Sequence, residues 1–97
     1  MAYLDLYSEE LTRKLKKIKN KNRTLYDIID KKIAEIIQHP ERYKELRHDM
    51  KEFRRVHIQK SFVLTFKIDM ANEIVKFEDF DHHDKIYKRR NKMVEFC

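Results

Sequence analysis

The 97-residue chain contains no glycine, one proline and one cysteine. A lone cysteine, Cys97, cannot close an internal disulfide, so the small secreted scaffolds held together by disulfides are excluded and the reducing cytoplasm is the expected compartment. No apolar run approaches the roughly 20 residues of a membrane helix, and the N-terminus lacks a basic segment followed by an apolar one. Neither a membrane partner nor export is therefore expected. Without a low-complexity linker or an internal repeat, the chain reads as one domain over residues 1–97.

What the chain has in quantity is charge, at 41% of its residues, balanced by a 41% hydrophobic share that includes eleven aromatic residues. That share suffices for a core and argues against global disorder. The formal net charge is +6 and the pI is about 9.4, which favours acidic partners. The cations are blocked rather than scattered. Arg13 to Arg23 holds seven and no acid, Lys51 to Lys60 four against one acid, and Lys85 to Lys92 five and none. Gathered by folding, these blocks could form one phosphate-binding surface.

Ala2 to Tyr7 favours a strand that stops at Ser8, a good helix N-cap, and Glu9 and Glu10 follow where the helix dipole favours anions. Leu11, Leu15 and Ile18 then recur at helical spacing. A break around Asn20 to Asn22 leads to a second helix, expected to start at Thr24 with Asp27 as its capping-box partner and to end at His39 before Pro40. Its stripe of Leu25, Ile28, Ile29, Ile33, Ile36 and Ile37 reads as core. Beyond Pro40 the period changes to that of strands, at Phe53 to Ile58, Phe62 to Ile68 and Ile74 to Phe80. In the middle one Phe62, Leu64, Phe66 and Ile68 alternate with Val63, Thr65 and Lys67, which predicts one packed face and one wet face. The connectors are short enough for hairpins even without a glycine turn. The expectation is an α+β domain of order βααβββ, a helical hairpin on a small antiparallel-dominated twisted sheet, with a basic tail from Lys85 to Cys97.

That order, with the phrases His39-Pro40-Glu41-Arg42-Tyr43, Arg54-Arg55-Val56-His57-Ile58-Gln59-Lys60-Ser61-Phe62-Val63-Leu64-Thr65-Phe66-Lys67-Ile68 and above all His82-His83-Asp84-Lys85-Ile86-Tyr87-Lys88, resembles the RelE/ParE toxin superfamily of toxin–antitoxin modules. The resemblance covers roughly residues 2 to 90, and its most specific part is the closing His83-x-x-x-Tyr87. It implies a RelE-like toxin, a ribosome-dependent endoribonuclease that cuts mRNA and inhibits translation, with a cognate antitoxin, the ribosome and mRNA as partners and no cofactor. ParE-like members share the fold and inhibit DNA gyrase without nuclease chemistry; an inactive RNA-binding relative is a third reading. Two departures stand out. Val63 occupies a position where many RelE-like toxins carry an arginine that contacts the scissile phosphate, and the glycine that commonly precedes the second strand is absent.

Metal-free RNA cleavage needs a base for the 2′-hydroxyl, an acid for the leaving 5′-oxygen and cations for the charge on phosphorus. His83, with an intrinsic pKa of about 6.5, and Tyr87, crowded by Lys85, Lys88, Arg89 and Arg90, are the candidates for proton transfer; the bland alternatives are a solvated turn histidine and a packing tyrosine. Arg55 and His57 share a strand face and could grip phosphate, with Arg54, Lys51, Lys60 and Lys67 adding charge. Lys67 could stand in for the missing arginine at Val63. The run Arg13 to Arg23 reads first as the wet side of a helix, with ribosomal RNA contacts as its functional alternative. No carboxylate and histidine set has the spacing of a metal site, because His82 and His83 are adjacent and point apart on an extended segment.

Overall fold

The computed structural model describes residues 2–43, 53–82 and 84–86. Strand β1 (Leu4–Tyr7) is followed by helices α1 (Glu9–Lys21) and α2 (Arg23–Gln38), a 3-10 turn at Pro40–Arg42, and strands β2 (Phe53–Ile58), β3 (Phe62–Asp69) and β4 (Ile74–His82). The order βααβββ is the one read from the sequence. The three later strands form an antiparallel meander, and β1 joins its outer edge parallel to β4, giving the sheet order β1-β4-β3-β2. A parallel pair needs a long crossover, which the helical hairpin supplies.

Each helix boundary has a local cause. Ser8 leaves β1 in extended backbone, and its Oγ accepts from the Leu11 N–H at 3.0 Å while its hydroxyl donates to the Glu78 carbonyl at 2.6 Å. That carbonyl is available because β4 bulges there, with Phe66 opposite Phe77, Thr65 opposite Asp79 and Glu78 left over. Asn22 alone separates the helices. Its N–H donates to the Ile18 carbonyl at 2.7 Å and its side-chain oxygen accepts from the Leu25 N–H at 3.1 Å, so one residue closes α1 and opens α2. The expected cap, Thr24, is instead inside the helix. Asn22 prevails because the break comes two residues earlier than the Thr24 start assumes, and asparagine caps at least as well as threonine.

The core lies between the helices and one sheet face. Leu11, Leu25, Ile29, Ile33 and Ile36 pack with Ile58, Leu64, Phe66, Val75, Phe77 and Phe80, each worth roughly 1.5–3 kcal/mol on burial. Arg54 emerges on this side of β2, and its Nη1 donates to the carbonyls of Tyr43 at 2.6 Å and Glu41 at 3.3 Å, holding the turn after α2 onto the strand.

The expected wet face of β3 is not wet. Val63 and Thr65 are completely buried on the side away from the helical core. Val63 lies between His57 and Asp81, and Thr65 between Arg55 and Asp79, so long neighbours on two strands flank them. Phe53 and Ile86 are also buried outside the helix-side cluster. Alternation of hydropathy reports which residues share a face, not whether that face is covered. Among the described residues no helix is long and apolar enough to cross a membrane.

Candidate functional site

The end of β2, the start of β3 and the end of β4 meet at one rim of the sheet. Ile58 and Phe62 flank a tight hairpin turn in which Gln59 has φ 55°, and His82 pairs in register with Phe62. Around this rim His57, Lys60, Ser61, His82 and Asp84 line a cavity of about 430 Å³. Beyond β4 lies a helical stretch at 84–86, in which Asp84 lines the cavity and Lys85 is exposed.

The electrostatics of the rim are mixed. Burial opposes the charge of Asp81, but the His82 N–H at 2.8 Å, Lys14 Nζ at 3.1 Å and the field of Lys85 outweigh it and hold the carboxyl below the usual carboxylate range. Lys14 reaches this point from α1, along the stretch of β4 that β1 leaves uncovered, and donates also to Asp79 Oδ1 at 2.7 Å and the Phe80 carbonyl at 3.3 Å. Burial works against the Lys14 charge as well, yet the bonds to Asp79 and Asp81 raise its pKa above that of an ordinary lysine. Thus the basic run from Arg13 to Arg23 divides its labour. Lys14 is a structural tie, Lys19 and Arg23 each lie 5.6 Å from the Tyr26 ring, and Lys16 and Lys17 stay exposed.

Of the residues singled out in the sequence, His57 and Lys60 come together in the cavity, and Lys85 is exposed next to Asp84 in the chain, with its field felt at Asp81. Arg55 is half-buried one strand repeat, about 7 Å, further along β2, opposite Thr65. Lys67 lies four residues beyond Val63, about 13 Å along the strand, over the Phe53 ring at 4.6 Å and 4.0 Å from Glu78. Arg54 is engaged on the opposite sheet face. His83, Tyr87, Lys51, Lys88, Arg89 and Arg90 lie outside the described residues. Ser61, His82, Asp84 and Lys14 were not singled out for this role. Register could have found His82, since a strand continued two residues past Phe80 sets it opposite the residue that follows the hairpin.

The cavity offers at His57 an imidazole, a group that can give or take a proton, and at Lys60 an ammonium able to hold a phosphate oxygen. Among the described residues no three histidine, cysteine or acidic side chains gather as a metal site.

A four-stranded mixed sheet under an N-terminal helical hairpin is the RelE-like toxin fold. A chain of the intact E. coli RelBE toxin–antitoxin complex superposes with a TM-score of 0.70 at 20% identity, covering 84% of this chain and 96% of that one. The family model described as "ParE toxin of type II toxin-antitoxin system" matches residues 6–87, and the chain belongs to this RelE/ParE toxin family. It is 49% identical over 80 residues, 82% of its length and 85% of the relative's, to a Methanocaldococcus jannaschii protein named "Putative toxin RelE4". A Methanosarcina mazei protein is 47% identical over 87 residues, 90% of this chain and all of that one.

Proposed function

We propose that this toxin is a RelE-like mRNA endoribonuclease that acts on ribosome-bound message in the cytoplasm and is neutralised by a cognate antitoxin. The observation that supports the reading is the cavity at the sheet rim, which His57 and Lys60 line together. In this reaction the 2′-hydroxyl loses its proton and attacks the adjacent phosphate, the 5′-oxygen leaves with a proton, and the product ends in a 2′,3′-cyclic phosphate, which water can open to a 3′-phosphate. Lys60, with Arg55 behind it and Lys85 beside it, stabilises charge on the phosphate. His57 moves a proton, alongside His83 and Tyr87 of the closing motif. The ribosome supplies substrate positioning, which so small a cavity cannot supply alone. No cofactor or metal takes part, and the whole chain acts as one domain.

His57→Ala and Lys60→Ala test this directly, because both residues are exposed, and urea denaturation of each variant checks that the fold is kept. Primer extension on mRNA from ribosomes programmed with each purified variant should show cleavage slowed by roughly 10²-fold or more. Wild-type cleavage by both variants would overturn the assignment. A second reading is favoured by the matching family model itself, which is that of ParE toxins. Fully buried Val63 where the resemblance expects a phosphate-binding arginine points the same way. A ParE-like protein would block DNA gyrase supercoiling and leave transcripts whole, so the two assays on one preparation separate the readings.

A further inference from the structure

His82 borders two cavities. Besides the one it shares with His57 and Lys60 there is a second, of about 260 Å³, which it lines with Lys17, Ile18, Phe62, Phe80 and the ion-paired Lys14 and Asp81. The aromatic rings here are ordered. Phe62 stacks on Phe80 with centroids 5.0 Å apart and planes 14° apart, and the His82 ring lies 4.7 Å from that of Phe62 at 32°. Burial falls along the series, from Phe80 at 3% exposure through half-buried Phe62 to exposed His82.

An exposed ring held by a packed one is a platform prepared for a further planar partner, since its orientation is fixed before the partner arrives. Cations flank the platform on both sides, Lys60 in one cavity and Lys17 in the other. Lys17 makes no ion pair among the described residues, in contrast to the committed Lys14. Stacking rings bordered by separated cations are what a single-stranded nucleic acid requires, bases on the rings and phosphates on the cations. We propose that the Phe62–His82 platform is a base-stacking subsite for single-stranded RNA, seating the nucleotide next to the one presented to the His57–Lys60 cavity. The subsite rests on the RNA-cutting reading above and adds to it a specificity element outside the proton-transfer groups.

The test uses the full chain and two readouts. One is quenching of a tetraribonucleotide that carries 2-aminopurine, titrated with purified protein without ribosomes; the other is cleavage of ribosome-bound mRNA. His82→Ala should weaken probe binding by roughly five- to a hundredfold, and His82→Phe, which keeps a ring and loses the imidazole nitrogens, should restore it. Wild-type protein that fails to quench the probe, His82→Ala that binds as wild type, or His82→Phe as weak as His82→Ala would each overturn the subsite. Wild type that cuts mRNA while His82→Ala binds the probe unchanged removes the subsite and leaves the nuclease. Wild type that binds the probe through His82 yet leaves ribosomal mRNA whole supports the subsite and removes the nuclease.

Discussion

Replacing Lys14 with methionine should be among the most damaging single changes to a partly exposed residue of this protein. The Lys14 side chain is 28% exposed and its ammonium donates to Asp79, whose side chain is 5% exposed, and to Asp81, at 20%, so the substitution strips a cation from two partly desolvated carboxylates. Breaking a fully buried pair costs about 3–5 kcal/mol, and a hydrogen bond to a charged group contributes about 1.5–3 kcal/mol. Methionine keeps the packing of the lysine stem, and residual hydration of Lys14 and Asp81 lowers the buried figure. The expected loss is therefore about 2–3 kcal/mol, which for a chain of this length lowers Tm by roughly 10–20 °C. The pH dependence follows from the two shifts. The Asp81 carboxyl is depressed, so its contribution is present above the ordinary aspartate pKa and is lost as pH falls through the lower folded value. The Lys14 pKa is raised, so its contribution is present below the ordinary lysine pKa and is lost as pH rises through the higher folded value. Urea denaturation of wild type and Lys14→Met at a series of pH values should show a stability gap that is flat from about pH 5 to 10 and narrows on either side. A gap below about 0.5 kcal/mol at pH 7, the usual size for a solvated surface pair, or one undiminished in acid, would refute the reasoning.

Two further outcomes follow from the geometry. Lys67→Ala should leave mRNA cleavage near the wild-type rate in the primer-extension assay, because its ammonium lies over Phe53 at 4.6 Å rather than at the sheet rim. Ser8→Ala removes the cap of α1 and strands the bulged Glu78 carbonyl, and should lower stability by about 1–2 kcal/mol in urea denaturation.

Strands and helices were legible in the sequence because hydrophobic period and punctuation agreed. β2 has the bounds that its composition predicts, and Pro40 ends α2 where it must. Caps were less legible. Asn22 and Thr24 are both competent, and only the geometry of a one-residue connection between helices selects Asn22. The burial of Val63 and Thr65 was not legible at all, since it depends on what flanks β3 on neighbouring strands. Two of the five residues lining the cavity were visible, His57 and Lys60, which stand in a basic segment of strand period. His82 belongs to it through the register of β3 with β4, which no local pattern announces, and Asp84 through the helical stretch beyond β4.

The absence of glycine has its consequence at the β2–β3 hairpin. Gln59 is held at φ 55° immediately before Lys60, a backbone state that an L-residue enters at a cost of about 1–2 kcal/mol. Glycine would adopt it freely and would also swing freely, whereas glutamine admits few alternatives. The lysine is thus carried on a stiff bracket rather than a swivel, so the mouth of the cavity keeps its shape before any ligand arrives.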